Sequence, residues 1–157
     1  RAPALYSVLG VPDTPEGRLE MVLLHVALLL QRLQRDGEVA EPLAVALAER
    51  YVTDMDDCMR EMTFSDLAVP REVKRIAAAL FDRHAALDRT DPEALAGILE
   101  TQLAYLRTDP HATPIDTAAL AHYALESAKM LASQTAEHLG EGGVAWPDLG
   151  PHRGHAP

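Results

Sequence analysis

The sequence has few of the residues that form cross-links or build β-sheets. Cys58 is the one cysteine, so no internal disulfide framework can form. Aromatic residues make up 4% of the chain and β-branched residues are sparse, which disfavours a β fold. No segment has the pattern of a secretory signal. The longest apolar run is flanked by charges and is shorter than the roughly 20 residues that span a bilayer.

Basic residues are also scarce compared with acidic ones. The chain carries 14 Lys and Arg against 24 Asp and Glu, which gives a formal net charge of -10. The field around such a protein repels phosphate. We therefore expect no direct binding to nucleic acid, and general attraction to anionic membranes is disfavoured.

Alanine and leucine supply most of the 48% hydrophobic content, a composition that predicts an all-α fold. Residues 19–33 are apolar on nearly every side, so other helices should surround them. We predict a single compact helical domain of about five main helices around this central apolar helix. Capping residues and periodicity place the five helices at about residues 15–36, 41–63, 70–89, 92–107 and 115–139.

The chain beyond residue 140 is rich in glycine and proline. We predict a helical domain over residues 1–140 and a flexible C-terminal tail over residues 141–157. Trp146 is the residue of this tail that we expect to dock on the domain.

The first predicted helix carries one polar line, formed by Arg18, His25 and Arg32. We expect this line to face the acidic side of the second helix. The same acids are the expected partners of Arg71, Lys74 and Arg75, whose charges oppose the dipole at the start of the third helix. Cys58 is expected on the apolar, buried face of the second helix, together with Tyr51 and Met55.

The search for catalytic motifs finds no Gly-rich phosphate loop, no HExxH and no paired CxxC. No metal or cofactor site is therefore predicted. One enzymatic alternative remains open, in which His25 and the acids of the second helix form a polar pocket with a perturbed titrating pair.

The densest cluster of charged and methionine residues is DMDDCMREMTFSDLAVPREVKR, residues 54–75. Methionines adapt to varied apolar partners, and charges at the rim can orient a bound helix. The alternative interpretation is that the methionines fill the core and the charges form a solvated face.

Three segments, GRLEMVLLHVALLLQRL (17–33), DMDDCMREM (54–62) and SDLAVPREVKRIA (65–77), resemble the ubiquinol–cytochrome c chaperone family in its bacterial form. The family comprises assembly factors of the cytochrome bc1 complex. The preceding LYSVLGVPDTPEGR is also similar, and the resemblance covers roughly residues 4–110. It implies an all-helical chaperone without catalytic activity or a cofactor of its own.

The resemblance also implies partners and a location. The implied client is newly made cytochrome b, and mitochondrial members act with a small co-chaperone and with the ribosome. A bacterial member is expected in the cytoplasm, near the inner face of the inner membrane. The family motif implies a partner-binding surface at Asp54, Met55, Asp56, Arg60, Glu61, Met62, Asp66, Leu67, Val69, Pro70, Lys74 and Arg75. A helical interaction module with an unrelated partner is a second alternative, beside the enzymatic one.

Overall fold

The computed structural model describes residues 4–61, 69–107 and 113–149. Within these ranges the chain forms α-helices, short 3-10 turns and loops, without a β-strand, so the predicted all-α fold is confirmed. The α-helices are α1 (Ala4–Ser7), α2 (Pro15–Gln34), α3 (Glu41–Glu61), α4 (Val69–Ala86), α5 (Pro92–Leu103), α6 (Thr117–Ala132) and α7 (Ala136–Gly140). The 3-10 turns are Gly37–Val39 and Ala104–Leu106.

Side-chain caps start the helices where the sequence predicts them. The Thr14 hydroxyl accepts a hydrogen bond from the Gly17 amide at 3.2 Å, and Pro15 opens α2. Asp91 caps α5 in the same way, accepting from the Ala94 amide at 2.9 Å. Each cap satisfies an amide that the first turn of a helix leaves without a partner.

The predicted fifth helix, 115–139, is divided in two, which corrects the sequence-based boundary. α6 ends at Ala132 and α7 begins at Ala136. Between them, the Thr135 side chain accepts a hydrogen bond from the His138 amide at 3.2 Å and starts a new helix. A hydroxyl at this position competes with continuation of the helix because it can cap instead.

α2 contacts α3, α4 and α6, while α5 packs mainly on α6. Leu24, Ala27 and Leu28 of α2 are buried completely or almost completely. One side of α2 reaches the surface, however, because Val22 is 47% exposed. Residues 19–33 are therefore not enclosed on every side, and their place at the centre of the domain stays a prediction.

The segment that follows α7 has no regular structure through residue 149 but is attached to the domain. The Gln134 side chain forms two hydrogen bonds with the backbone of Ala145, at 2.8 and 3.0 Å. The Trp146 ring packs edge-on against the His25 ring, with centroids 4.5 Å apart. The expected docking of Trp146 is therefore observed, and the division of the chain at residue 140 stays a prediction.

Among the described residues, no helix combines the length and the apolar character that crossing a membrane requires.

Candidate functional site

The predicted motif of residues 54–75 spans the end of α3 and the start of α4. Asp54 forms an exposed ion pair with Arg50, one turn earlier on α3, at 2.7 Å. Met55 is half-buried and packs against the core. Asp56 is half-buried as well. Cys58 is exposed, which corrects the expectation that it is buried. The apolar face of α3 is therefore exposed at Cys58.

For several residues of the motif, the structure describes only the backbone or does not describe the residue. The backbones of Arg60 and Glu61 end α3, and those of Val69 and Pro70 begin α4. Their side chains lie outside the described part of the molecule, as do Met62, Asp66 and Leu67 entirely. The role of these residues as a binding surface remains a prediction.

The basic residues at the start of α4 find a partner on their own helix. Arg75 pairs with Glu72 at 2.8 Å, and Arg71 approaches the same carboxylate at 3.6 Å. Among the side chains that the structure describes, neither arginine has an ion pair with an acid of α3, and Glu61 of that acidic face lies outside them, so the expected pairing stays a prediction. A carboxylate three residues away on one helix is the nearer partner. Lys74 is exposed on the same turns.

Two residues of the polar line, His25 and Arg32, face α6 rather than the acidic side of α3, which corrects a second expectation. The third, Arg18, is exposed and pairs with Asp13 at 2.7 Å. Arg32 donates to the carbonyl oxygens of Leu131 and Gln134, at 2.9 and 2.7 Å. These carbonyls lie at the end of α6, where a cation also favours the helix dipole. Arg32 is held in place by Asp36 of its own chain segment, at 2.7 Å.

His25 belongs to the same α2–α6 contact. Its Nδ1–H donates to the Met21 carbonyl at 2.6 Å, and its Nε2 accepts from the Tyr123 hydroxyl at 2.7 Å. Burial lowers the pKa of His25, while its hydrogen bond to Met21 acts in the opposite direction. A groove of about 590 Å³ adjoins this histidine, and none of the described acids of α3 lines it. Both ring nitrogens of His25 have partners outside α3, so the described side chains do not form the pairing with those acids that the enzymatic alternative needs.

A buried ion pair joins α2 to α4, and sequence reasoning missed it. Arg83 donates through Nη2 to a carboxylate oxygen of Glu20, and the two side chains are 3% and 9% exposed. The Tyr105 hydroxyl donates to the other oxygen of Glu20 at 2.7 Å. Burial and this bond raise the pKa of Tyr105. The sequence contained one indication of this pair. Glu20 adjoins the apolar stretch that begins at Met21, so its carboxylate lies next to residues expected to be buried.

An open apolar groove lies between the end of α2, the start of α3 and the second half of α4. Its volume is about 520 Å³. Phe81 of α4 and Val45 of α3 line it and are 76% and 49% exposed. Two carboxylates, Glu38 and Glu41, also line the groove and are exposed. An exposed apolar surface with a polar rim is typical of a site that binds another protein.

The described residues contain no group of three or more His, Cys, Asp or Glu that could hold a metal ion. What the observed arrangement offers is binding surface: an apolar groove and charged side chains placed around it. The fold and these surfaces define an all-α domain that exposes an apolar groove with carboxylates at its edge.

Comparisons with known proteins identify the family. The model of the ubiquinol-cytochrome C chaperone family matches residues 7–146, and the chain belongs to this family. The resemblance seen in the sequence is thus confirmed, and it extends past residue 110 through α6 and α7. A comparison with curated proteins gives no match.

The fold is also similar to a solved structure, the crystal structure of the Cbp3 homolog from Brucella abortus. The two chains superpose with a TM-score of 0.76 and are 31% identical. The similarity covers 94% of this chain and 82% of the other.

Proposed function

We propose that this protein is an assembly chaperone of the cytochrome bc1 complex that binds newly made cytochrome b and catalyses no reaction of its own. The observation that carries the proposal is the family match over residues 7–146, which includes every long helix. The similarity of the whole fold to the Cbp3 homolog supports it.

The surfaces of the domain suit this role. A chaperone for an unassembled membrane protein has to offer apolar area to segments that would otherwise aggregate in water. The exposed Phe81 and Val45 provide such area, and the buried Glu20–Arg83 pair joins α2 to α4, two of the helices that line the groove. A partner would gain free energy by covering these side chains.

We further propose that the motif of residues 54–75 contributes to partner binding. Asp56 and Met55 are only half-buried, and Lys74 and Arg75 are exposed. The exposed basic residues Arg71, Lys74 and Arg75 are the proposed contact for a ribosome or a small co-chaperone, since the overall charge of -10 disfavours wider contact with RNA. The proposed location is the bacterial cytoplasm, peripheral to the inner face of the inner membrane.

The test is complementation of a strain that lacks the gene, with cytochrome b and the assembled bc1 complex as readouts. The charge-reversing double variant Asp56→Lys with Arg60→Glu should lower both while the purified domain keeps its helical circular dichroism. The matched control is Glu126→Lys with Lys129→Glu, which reverses an exposed ion pair of 2.7 Å on α6. This control should support normal assembly.

Two outcomes would contradict the proposals separately. Normal cytochrome b levels in the deletion strain would reject the chaperone function. Normal assembly with the 56/60 variant, in a strain where deletion abolishes assembly, would reject the motif as a binding surface and leave the function intact. Copurification of cytochrome b with the wild-type protein distinguishes this role from that of an interaction module with another partner.

A further inference from the structure

We propose that the groove between α2, α3 and α4 binds an apolar helix whose end carries lysine or arginine. The proposal deepens and rests on the proposed function, because a segment of a newly made membrane protein is such a helix. The groove is distinct from the 54–75 motif. Ala44 and Ala48 line it on the first half of α3, and Asp54 follows Ala48 by six residues, or about 9 Å along the helix.

The groove offers an apolar floor of suitable size. Leu30 of α2 and Leu80 of α4 form its buried part, and Phe81 and Val45 flank it at the surface. Its volume of about 520 Å³ falls within the range of about 300–1,000 Å³ that is usual for binding pockets. It can therefore accept several side chains from one face of a helix, which is the way in which helix-binding grooves recognise their partners.

The charge around the groove specifies one end of the partner. Glu38 lies in the 3-10 turn and Glu41 is the first residue of α3, and both carboxylates are exposed beside the apolar floor. Among the residues that the structure describes, no lysine or arginine lines the groove, and the chain as a whole carries -10. A basic helix end placed against Glu38 and Glu41 is complementary to this field.

Membrane helices carry this combination of properties. Their apolar stretches end, on the cytoplasmic side, in segments enriched in lysine and arginine. The apolar floor would supply affinity, and the two carboxylates would set the direction in which the helix lies. The groove beside His25 is less suitable, because Trp146 and Leu149 already line it and pack against the domain.

The experiment measures binding of the purified full chain to a fluorescent helical peptide of about 15 residues, with leucines on one face and lysines at one end. A second peptide has glutamates in place of the lysines. Wild type should bind the lysine peptide about tenfold more tightly, and this preference should shrink as salt is added. Equal affinity for the two peptides would overturn the charge-based part of the proposal.

Val45 and Val22 form a matched pair for testing the floor. They are 49% and 47% exposed, and Val22 lines the other groove, beside His25. Val45→Glu should weaken binding of the lysine peptide about tenfold, while Val22→Glu should change it less than about twofold. Phe81→Ser is a second floor variant and should weaken binding as Val45→Glu does. Equal binding by wild type, Val45→Glu and Phe81→Ser would reject the site.

The rim is tested by Glu38→Lys with Glu41→Lys. This variant should reverse the preference, so that the glutamate peptide binds more tightly than the lysine peptide. Glu93→Lys is the control, because Glu93 is also an exposed acid in the first turn of a helix, α5. It should leave the preference unchanged, and a preference that survives reversal of Glu38 and Glu41 would contradict the proposal.

Copurification of cytochrome b tests the groove and the proposed function separately. Loss of cytochrome b with Val45→Glu but not with Val22→Glu supports the groove as the client site. Equal recovery of cytochrome b with both variants rejects the groove and leaves the proposed function standing. Failure of the wild type to recover cytochrome b rejects the proposed function itself, whatever the peptides show.

Discussion

Replacing Arg83 with methionine should destabilise the domain strongly, because it leaves the Glu20 carboxylate buried without its cation. Arg83 is 3% exposed and Glu20 is 9% exposed, so water cannot replace the lost partner easily. The hydrogen bond from the Tyr105 hydroxyl, at 2.7 Å, would remain. One neutral donor does not compensate for an unpaired charge in the interior.

The expected cost follows from what breaking a buried ion pair does in other proteins. Removing one partner costs about 3–5 kcal/mol, a large share of a total stability of about 5–15 kcal/mol. With a urea dependence of about 2 kcal/mol per molar, the unfolding midpoint should fall by roughly 2 M. Methionine has nearly the length of the arginine stem, so lost packing adds little.

The assay is urea unfolding followed by far-ultraviolet circular dichroism. Arg50→Met is the control, because Arg50 also pairs with a carboxylate, Asp54, but the two side chains are 74% and 44% exposed. Its cost should stay below about 1 kcal/mol.

A double variant isolates the effect of the orphaned charge. Glu20→Leu combined with Arg83→Met removes both charges, and its stability should return to within about 1 kcal/mol of wild type or exceed it. A cost of Arg83→Met no larger than that of Arg50→Met would show that the buried pair is not what stabilises the domain. The reasoning is refuted as well if the double variant is less stable than Arg83→Met alone.

Two further predictions concern pH and backbone spacing. Burial lowers the pKa of His25 from its ordinary value near 6.5, so below that pH the unfolded chain binds more protons there than the folded chain. This contribution to stability is present above about pH 6.5 and declines as pH falls. The urea midpoint of His25→Gln should therefore depend less on pH, between about pH 7 and 5, than that of wild type. An unchanged pH dependence would contradict the prediction. A methyl group on Gly17 would overlap the Pro12 carbonyl oxygen, so Gly17→Ala should cost about 1–3 kcal/mol in thermal or urea unfolding. Gly97→Ala, in an exposed part of α5 with nothing within 4 Å, should instead gain about 0.5–1 kcal/mol, and equal effects of the two substitutions would refute the distinction.

Local chemistry explains what sequence reasoning predicted well about the fold. Thr14 and Asp91 start helices because a side-chain oxygen reaches an amide three residues later, and no distant part of the chain is involved. The break between α6 and α7 was missed because helix-favouring residues surround Thr135 on both sides. Thr135 can either continue a helix or cap a new one, and the packing of the segments on each side decides which of the two occurs.

Faces of helices were predicted less well than their positions. Ile76 and Leu80 of α4 and Leu87 just after it are buried at helical spacing, but Arg83 is buried among them, and Cys58 of α3 is exposed against expectation. Periodicity identifies one side of a helix. It does not say how far along that side the neighbouring helix extends, or whether a charged residue there meets an opposite charge.

The candidate site, too, could be predicted only where its residues are close together in the sequence. The motif of residues 54–75 is continuous in sequence, so it could be recognised by its resemblance to a family. That family is confirmed. The apolar groove is made of residues from α2, α3 and α4 that are up to about fifty positions apart, among them Leu30, Val45 and Phe81. Nothing in the local sequence marks them as neighbours.

The amino-acid sequence by itself determined the helical class, the caps, the acidic net charge and the family, because each depends on composition or on residues that are near one another in the chain. Only the tertiary structure decided which helices meet. It turned Arg32 and His25 toward α6, paired Glu20 with Arg83, and left Phe81 exposed beside two carboxylates. The physical reason is that pairing and burial depend on separation in space, which a helical period predicts within one helix and not between two.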